Sequence, residues 1–166
     1  MKKVIVILAI VLTLSGFGGT VYAAQSSLPG DALYPVKLGV ERLTMMLGGD
    51  DVARAERSLN FADKRVREML TLTERERLGD LEVTADKYCC AMNMSLVRME
   101  AEFGSGGPHA GDIAELMAEA AEQHLSTLNG LHDVVPDEVK PAIERAMVEA
   151  QNCYQRAIQV REQLGL

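Results

Sequence analysis

The chain is 166 residues long, enough for one domain or two small ones, and 48% of it is hydrophobic, which excludes a disordered chain. Aromatic residues make up only 4%, Trp is absent, and Ala, Leu, Met, Glu and Arg dominate, which excludes a β-sandwich or barrel. The net charge of −7 argues against a nucleic-acid partner.

The first residues address the compartment. Lys2 and Lys3 precede the apolar run from Val4 to Leu12, and the next charge is Asp31. Small residues at −3 and −1 in Val21-Tyr22-Ala23-Ala24 complete the pattern of a signal peptide over residues 1–23, cleaved after Ala23. The alternative is an uncleaved membrane anchor over residues 4–24, just long enough to span a bilayer. Either way the remainder is expected outside the cytoplasm, periplasmic or extracellular. Cleavage removes two Lys and no acid, which takes the net charge to −9.

Residues 24–34 read as an extended lead-in, and residues 35–166 as a helical bundle. Pro29-Gly30 suits a type II turn, because Gly accepts the positive φ at the third position. The first helix carries Val36, Val40, Leu43 and Leu47 and stops at Gly48-Gly49. Asp50 or Asp51 caps the second, whose seam is Val52, Ala55, Leu59, Ala62, Val66 and Met69. Thr73-Glu74-Arg75-Glu76 fits a capping box and starts a third helix, unless the second runs on through Leu78. That third seam is Ala85, Cys89, Met92, Leu96, Met99 and Phe103, ended by Gly104-Ser105-Gly106-Gly107-Pro108. The fourth helix begins near Gly111-Asp112 and turns Ala114, Met117, Ala121, His124, Leu128 and Leu131 inward. Pro136-Asp137-Glu138 opens the fifth, with Val139, Ile143, Ala146, Ala150, Cys153, Ala157, Val160 and Leu164 in one seam. Steps of three and four over so many turns predict an all-α, antiparallel bundle of four to five helices behind the export segment.

Two stretches carry a resemblance. Ser27-Leu28-Pro29-Gly30-Asp31-Ala32-Leu33-Tyr34-Pro35-Val36-Lys37, just after an export segment, resembles the opening of a bacterial family of domains of unknown function. Its members occur in exported proteins and beyond the membrane helix of some anti-sigma-factor-like proteins. His124-Leu125, Leu128, Leu131, Val135-Pro136 and Lys140-Pro141-Ala142-Ile143-Glu144 resemble the C-terminal helical hairpin of its long members. The resemblance implies an extracytoplasmic helical domain and brings no catalytic residue with it.

The residues themselves show no Gly-x-Ser-x-Gly, no His-Glu-x-x-His and no Gly-rich phosphate loop. The positions three before His109, His124 and His132 are Gly106, Ala121 and Asn129, so the Glu-x-x-His pattern of a di-iron bundle is missing. Counting along the third and fifth helices puts Cys89 and Cys153 about 10 Å and about 26 Å up the bundle, too far apart for a disulfide. Both read as small core residues. Counting across the hairpin puts Cys89 level with His124 on the facing helix, with Cys90 adjacent and Met92 one turn away. Thiolate, imidazole and thioether together suit Cu(I), and Zn(II) could use the first two. Cys89, Cys90, Met92 and His124 are therefore the candidate metal ligands. Between Met99 and Val139 stand nine acids and no Lys or Arg, with Glu115, Glu119 and Glu122 on one helix face. That face reads as solvated, or as a docking surface for a basic partner or a loose cation site. Arg54, Arg57, Lys64, Arg65 and Arg67, interleaved with acids, read as a salt-bridged surface.

These readings lead to a non-catalytic helical interaction module of the cell envelope with an unidentified protein or envelope partner. It needs no cofactor and touches the membrane only through an uncleaved N-terminal segment. The alternative is a soft-metal binder or sensor for copper or zinc.

Overall fold

A computed structural model describes residues 24–46 and 48–166. The expected signal peptide or anchor at residues 1–23 lies outside the described residues, as does Leu47. No helix among the described residues is long and apolar enough to cross a membrane. The chain divides into two compact units, residues 1–47 and residues 48–166.

In the first unit the lead-in is folded into turns rather than extended. The Asp31 N–H donates to the Leu28 carbonyl at 3.0 Å, and Gly30 takes φ 85°, closing the turn that Pro29-Gly30 foreshadows. The Asp31 carboxylate accepts from the Leu28 N–H at 2.7 Å and braces the same turn. Helix α1 is Tyr34–Met46. Its buried side chains are Tyr34 and Lys37, not the expected seam: Leu43 is 65% exposed and Val36 is also exposed. The inward face is set by the turn, because the Lys37 ammonium donates to the Ser27 carbonyl at 3.0 Å and lies over the Tyr34 ring.

The second unit is four long helices. Helix α2 is Asp51–Glu74, α3 is Leu81–Gly104, α4 is Ala110–Val134 and α5 is Lys140–Leu164. All described secondary structure is helical, with no strand. Asp50 caps α2 by accepting from the Ala53 N–H at 2.8 Å. Thr73-Glu74-Arg75-Glu76 closes α2 instead of opening α3. The Arg77 N–H donates to the Leu72 carbonyl and the Glu76 N–H to the Thr73 carbonyl, a Schellman motif with Glu76 at φ 55°. The Thr73 hydroxyl donates back to the Met69 carbonyl, so it caps nothing. A single 3₁₀ turn, Leu78–Asp80, then leads into α3.

The helices form two antiparallel hairpins, α2–α3 and α4–α5. Asp51 meets Arg98 at 3.5 Å in the first, and His132 meets Glu144 at 3.2 Å in the second. The hairpins pack with α3 beside α5 and α2 beside α4, and each of these neighbouring pairs runs parallel. Asp86 bonds to Arg145 at 3.3 Å and Glu100 to Arg156 at 2.9 Å, so α3 and α5 climb together. Helices α3 and α4 approach across the short diagonal, while α2 and α5 stay apart.

The seams of α2, α4 and α5 are inside, apart from their ends. In α3, Ala85, Met92 and Met99 are buried, but Cys89, expected as a core residue, and Leu96 are only half-buried, because the inward face is turned toward Thr84, Tyr88, Ala91 and Ser95. Ala55, Leu59, Ala62, Val66 and Met69 of α2 are buried, as are Ala114, Met117, Ala121, His124, Leu128 and Leu131 of α4. In α5, Ile143, Ala146, Ala150, Cys153, Ala157 and Val160 are buried, and Leu164 at the free end is exposed. Alanine at successive layers of α5 lets α3 and α4 both lie close to it. Of the basic residues expected on the surface of α2, Arg65 is the exception: it is 2% exposed and donates to Glu68 at 2.6 Å, one turn on.

Candidate functional site

A polar pair from two helices sits in the interior where α3 meets α4. His124 belongs to the α4 seam, and Tyr88 shares the buried face of α3 with Ala85 and Met92, one position before the seam expected through Cys89. His124 of α4 is 4% exposed and Tyr88 of α3 is fully buried. The Tyr88 hydroxyl lies 3.3 Å from His124 Nδ1, and the two rings meet edge to face with centroids 5.4 Å apart. Burial holds the Tyr88 hydroxyl well above its ordinary range, so it keeps its proton. No other acceptor for it appears among the described residues, so the O–H donates to Nδ1. The imidazole is then neutral, which agrees with burial lowering its pKa against a smaller opposing pull from Asp63.

The four residues read as candidate metal ligands are placed differently from one another. His124 faces Tyr88, the residue before Cys89. One residue is about 100° of helical rotation, and it turns Cys89 toward α5, where its thiol donates to the Arg145 carbonyl at 3.9 Å. Cys90 is exposed on the outside of α3, and Met92 is fully buried. Among the described residues no group of three or more His, Cys, Asp or Glu could hold one metal ion. All three cysteines are free. Burial pushes the Cys89 thiol up to about 11 and the Cys153 thiol up to about 12, with Glu149 adding to both. Both are held as thiols, the opposite of an activated thiolate. Cys153 sits fully buried in the α5 seam, its thiol 3.8 Å from the Glu149 carboxylate.

A groove of about 300 Å³ runs between α2 and α4. From α2 it is lined by Glu56, Leu59, Asn60, Asp63 and Arg67, and from α4 by Leu116, Glu119, Ala120, Gln123 and His124. Its lining joins Leu59, Leu116, Ala120 and the His124 ring to three carboxylates, two amides and the Arg67 guanidinium. Asp63 is tied to Arg67 at 2.7 Å. Sequence reasoning singled out Glu119 and His124 separately but did not join them to α2. The missing information was that α2 and α4 are neighbours, which no periodicity within a helix reveals.

The sequence model of a domain of unknown function, DUF5667, matches residues 26–138. The chain belongs to this family. No curated protein and no solved structure matches it. The DUF5667 match takes in both rims of the groove and the Tyr88–His124 pair. It ends before α5, although α5 packs against α4 and beside α3.

Proposed function

We propose that the chain is exported and acts outside the cytoplasm as a non-catalytic helical module that binds a partner protein of the cell envelope. The observation that carries this reading is the contrast between interior and surface. Inside, the groups with chemistry are turned onto one another, as His124 is onto Tyr88. Outside, an open polar groove between α2 and α4 offers shape and charge. The N-terminal pattern of Lys2, Lys3, the apolar run and Ala23-Ala24 supports export.

The test is in-cell cross-linking from sites spread over all four long helices, followed by recovery from the intact envelope and mass spectrometry. One reproducible envelope protein joined to one face of the bundle, on a chain lacking residues 1–23, is the expected result. Recovery from the cytoplasm, or adducts scattered without a preferred face, would overturn the reading. Metal analysis of the same freshly reduced sample, with Cys89→Ala as its control, tests copper or zinc binding directly. A saturable one-to-one step lost in that variant would replace the module with a soft-metal protein.

A further inference from the structure

We propose that the groove between α2 and α4 receives a Lys- or Arg-bearing segment of the partner, its cationic side chain on the carboxylates of Glu56, Asp63 and Glu119 and a backbone carbonyl on His124 Nε2–H. This deepens the interaction-module reading and rests on it. Charge comes first. The groove carries three carboxylates against one guanidinium, that of Arg67, which is already bonded to Asp63. Helix α4 contains five acids and no Lys or Arg, so no cation of its own answers them. An anion would be repelled from such a rim and a cation drawn to it.

The second observation is the buried imidazole. Because Tyr88 donates to Nδ1, the proton of the neutral ring is on Nε2. Nε2 has no partner among the described residues, although the side chain is nine-tenths and more buried and lines the groove. Nε2–H is not sealed from solvent but opens onto the groove, where a ligand oxygen can take the place of water. A bare metal ion does not answer this atom, because a protonated Nε2 has no lone pair to give. The ligand must join an acceptor to a cation a few ångströms away, and a Lys or Arg residue does so with its own carbonyl and side chain. The α2 rim runs from Glu56 to Arg67, about 16 Å at 1.5 Å per residue. A short extended segment can lie along it and leave at either end.

The test uses the full chain, isotope-labelled, titrated with a capped Gly-Lys-Gly-Arg-Gly peptide and followed by amide and imidazole NMR shifts. Saturable shifts are expected at Asn60, Asp63, Glu119, Gln123 and the His124 Nε2–H, with none from the peptide in which Glu replaces Lys and Arg. Glu119→Gln, at an exposed rim position, should weaken binding about fivefold, the scale of one solvent-exposed ion pair. Glu115→Gln, exposed on the same helix but outside the groove, should leave it unchanged. No saturable shift, equal binding of the acidic peptide, or equal loss in both variants would overturn the assignment. Cross-links to a partner from the α3 and α5 faces, with no shift in the groove, would sink the groove and leave the module standing.

Discussion

Tyr88 and His124 are each held by the other, and burial shifts both from their ordinary titration. Tyr88→Phe keeps the ring and removes the donor, leaving a buried Nδ1 unsatisfied. Chemical denaturation should show a loss of about 1–3 kcal/mol. The same burial sets a pH dependence on both sides of neutrality. His124 has its folded pKa below the usual 6.5, so the unfolded chain binds the extra proton first. Stability should therefore fall as pH drops below about 6.5 and level off once the folded ring is also protonated. On the alkaline side the unfolded thiols ionise from about 9, while Cys89 and Cys153 stay protonated in the fold up to about 11 and about 12. Stability should fall again as pH rises past 9. Urea midpoints across pH check both limbs, and a flat profile in His124→Gln below 7 would tie the acid limb to that ring. The level of this pair was legible in the sequence, because antiparallel helices joined by a short loop can be counted from the loop. Which of Tyr88 and Cys89 faces His124 was not, because a one-residue error in the count leaves the height almost unchanged and rotates the side chain by about 100°.

At the scale of the element, periodicity identified the long helices. The seams of α2, α4 and α5 are buried except at their ends, while in α3 the buried face is rotated so that Tyr88 and Ser95 are inside and Cys89 and Leu96 are half-buried. Local signals were less secure where two motifs share a composition. Thr-x-x-Glu at Thr73–Glu76 is a capping pattern by letters, but a Schellman turn by hydrogen bonds. Glu76 there takes φ 55°, a conformation that costs a residue with a Cβ. Glu76→Gly should raise stability by up to about 1 kcal/mol, where a true N3 glutamate would lose by the change. The α5 seam gives the converse case. Cys153 has alanines a turn away on either side, so Cys153→Leu should overpack and lower stability by about 1–3 kcal/mol, with Cys153→Ala milder. Thermal melts of reduced protein distinguish these. The first helix was misread for a different reason. Its apolar stripe was a fair seam by spacing, but Lys37 and Tyr34 turn the other face inward through contacts with the turn before it.

For the whole molecule, the order of helices around the bundle was the part that no local reading could reach. Short connections correctly give antiparallel hairpins, yet two hairpins can dock in more than one way, and here docking makes parallel neighbours of α2 and α4. That adjacency creates the groove. It also makes α5 a structural partner of the family-matched residues rather than an appendage. A chain ending at Glu138 would bare the faces of α3 and α4 that Ile143, Ala146, Ala150, Cys153, Ala157 and Val160 cover. Such a fragment should keep helical circular dichroism, bind a hydrophobic dye and melt without a sharp transition.

The docked pair of hairpins also sets the order of events in time. Within each hairpin, contacting residues are close along the chain, so both can close on local contacts with little loop-closure entropy. The parallel faces α2–α4 and α3–α5 join residues roughly sixty apart, as Glu100 and Arg156 are, and must form later. The last surfaces to assemble are therefore those that build the groove, and a nascent chain has no such site until α4 has docked beside α2.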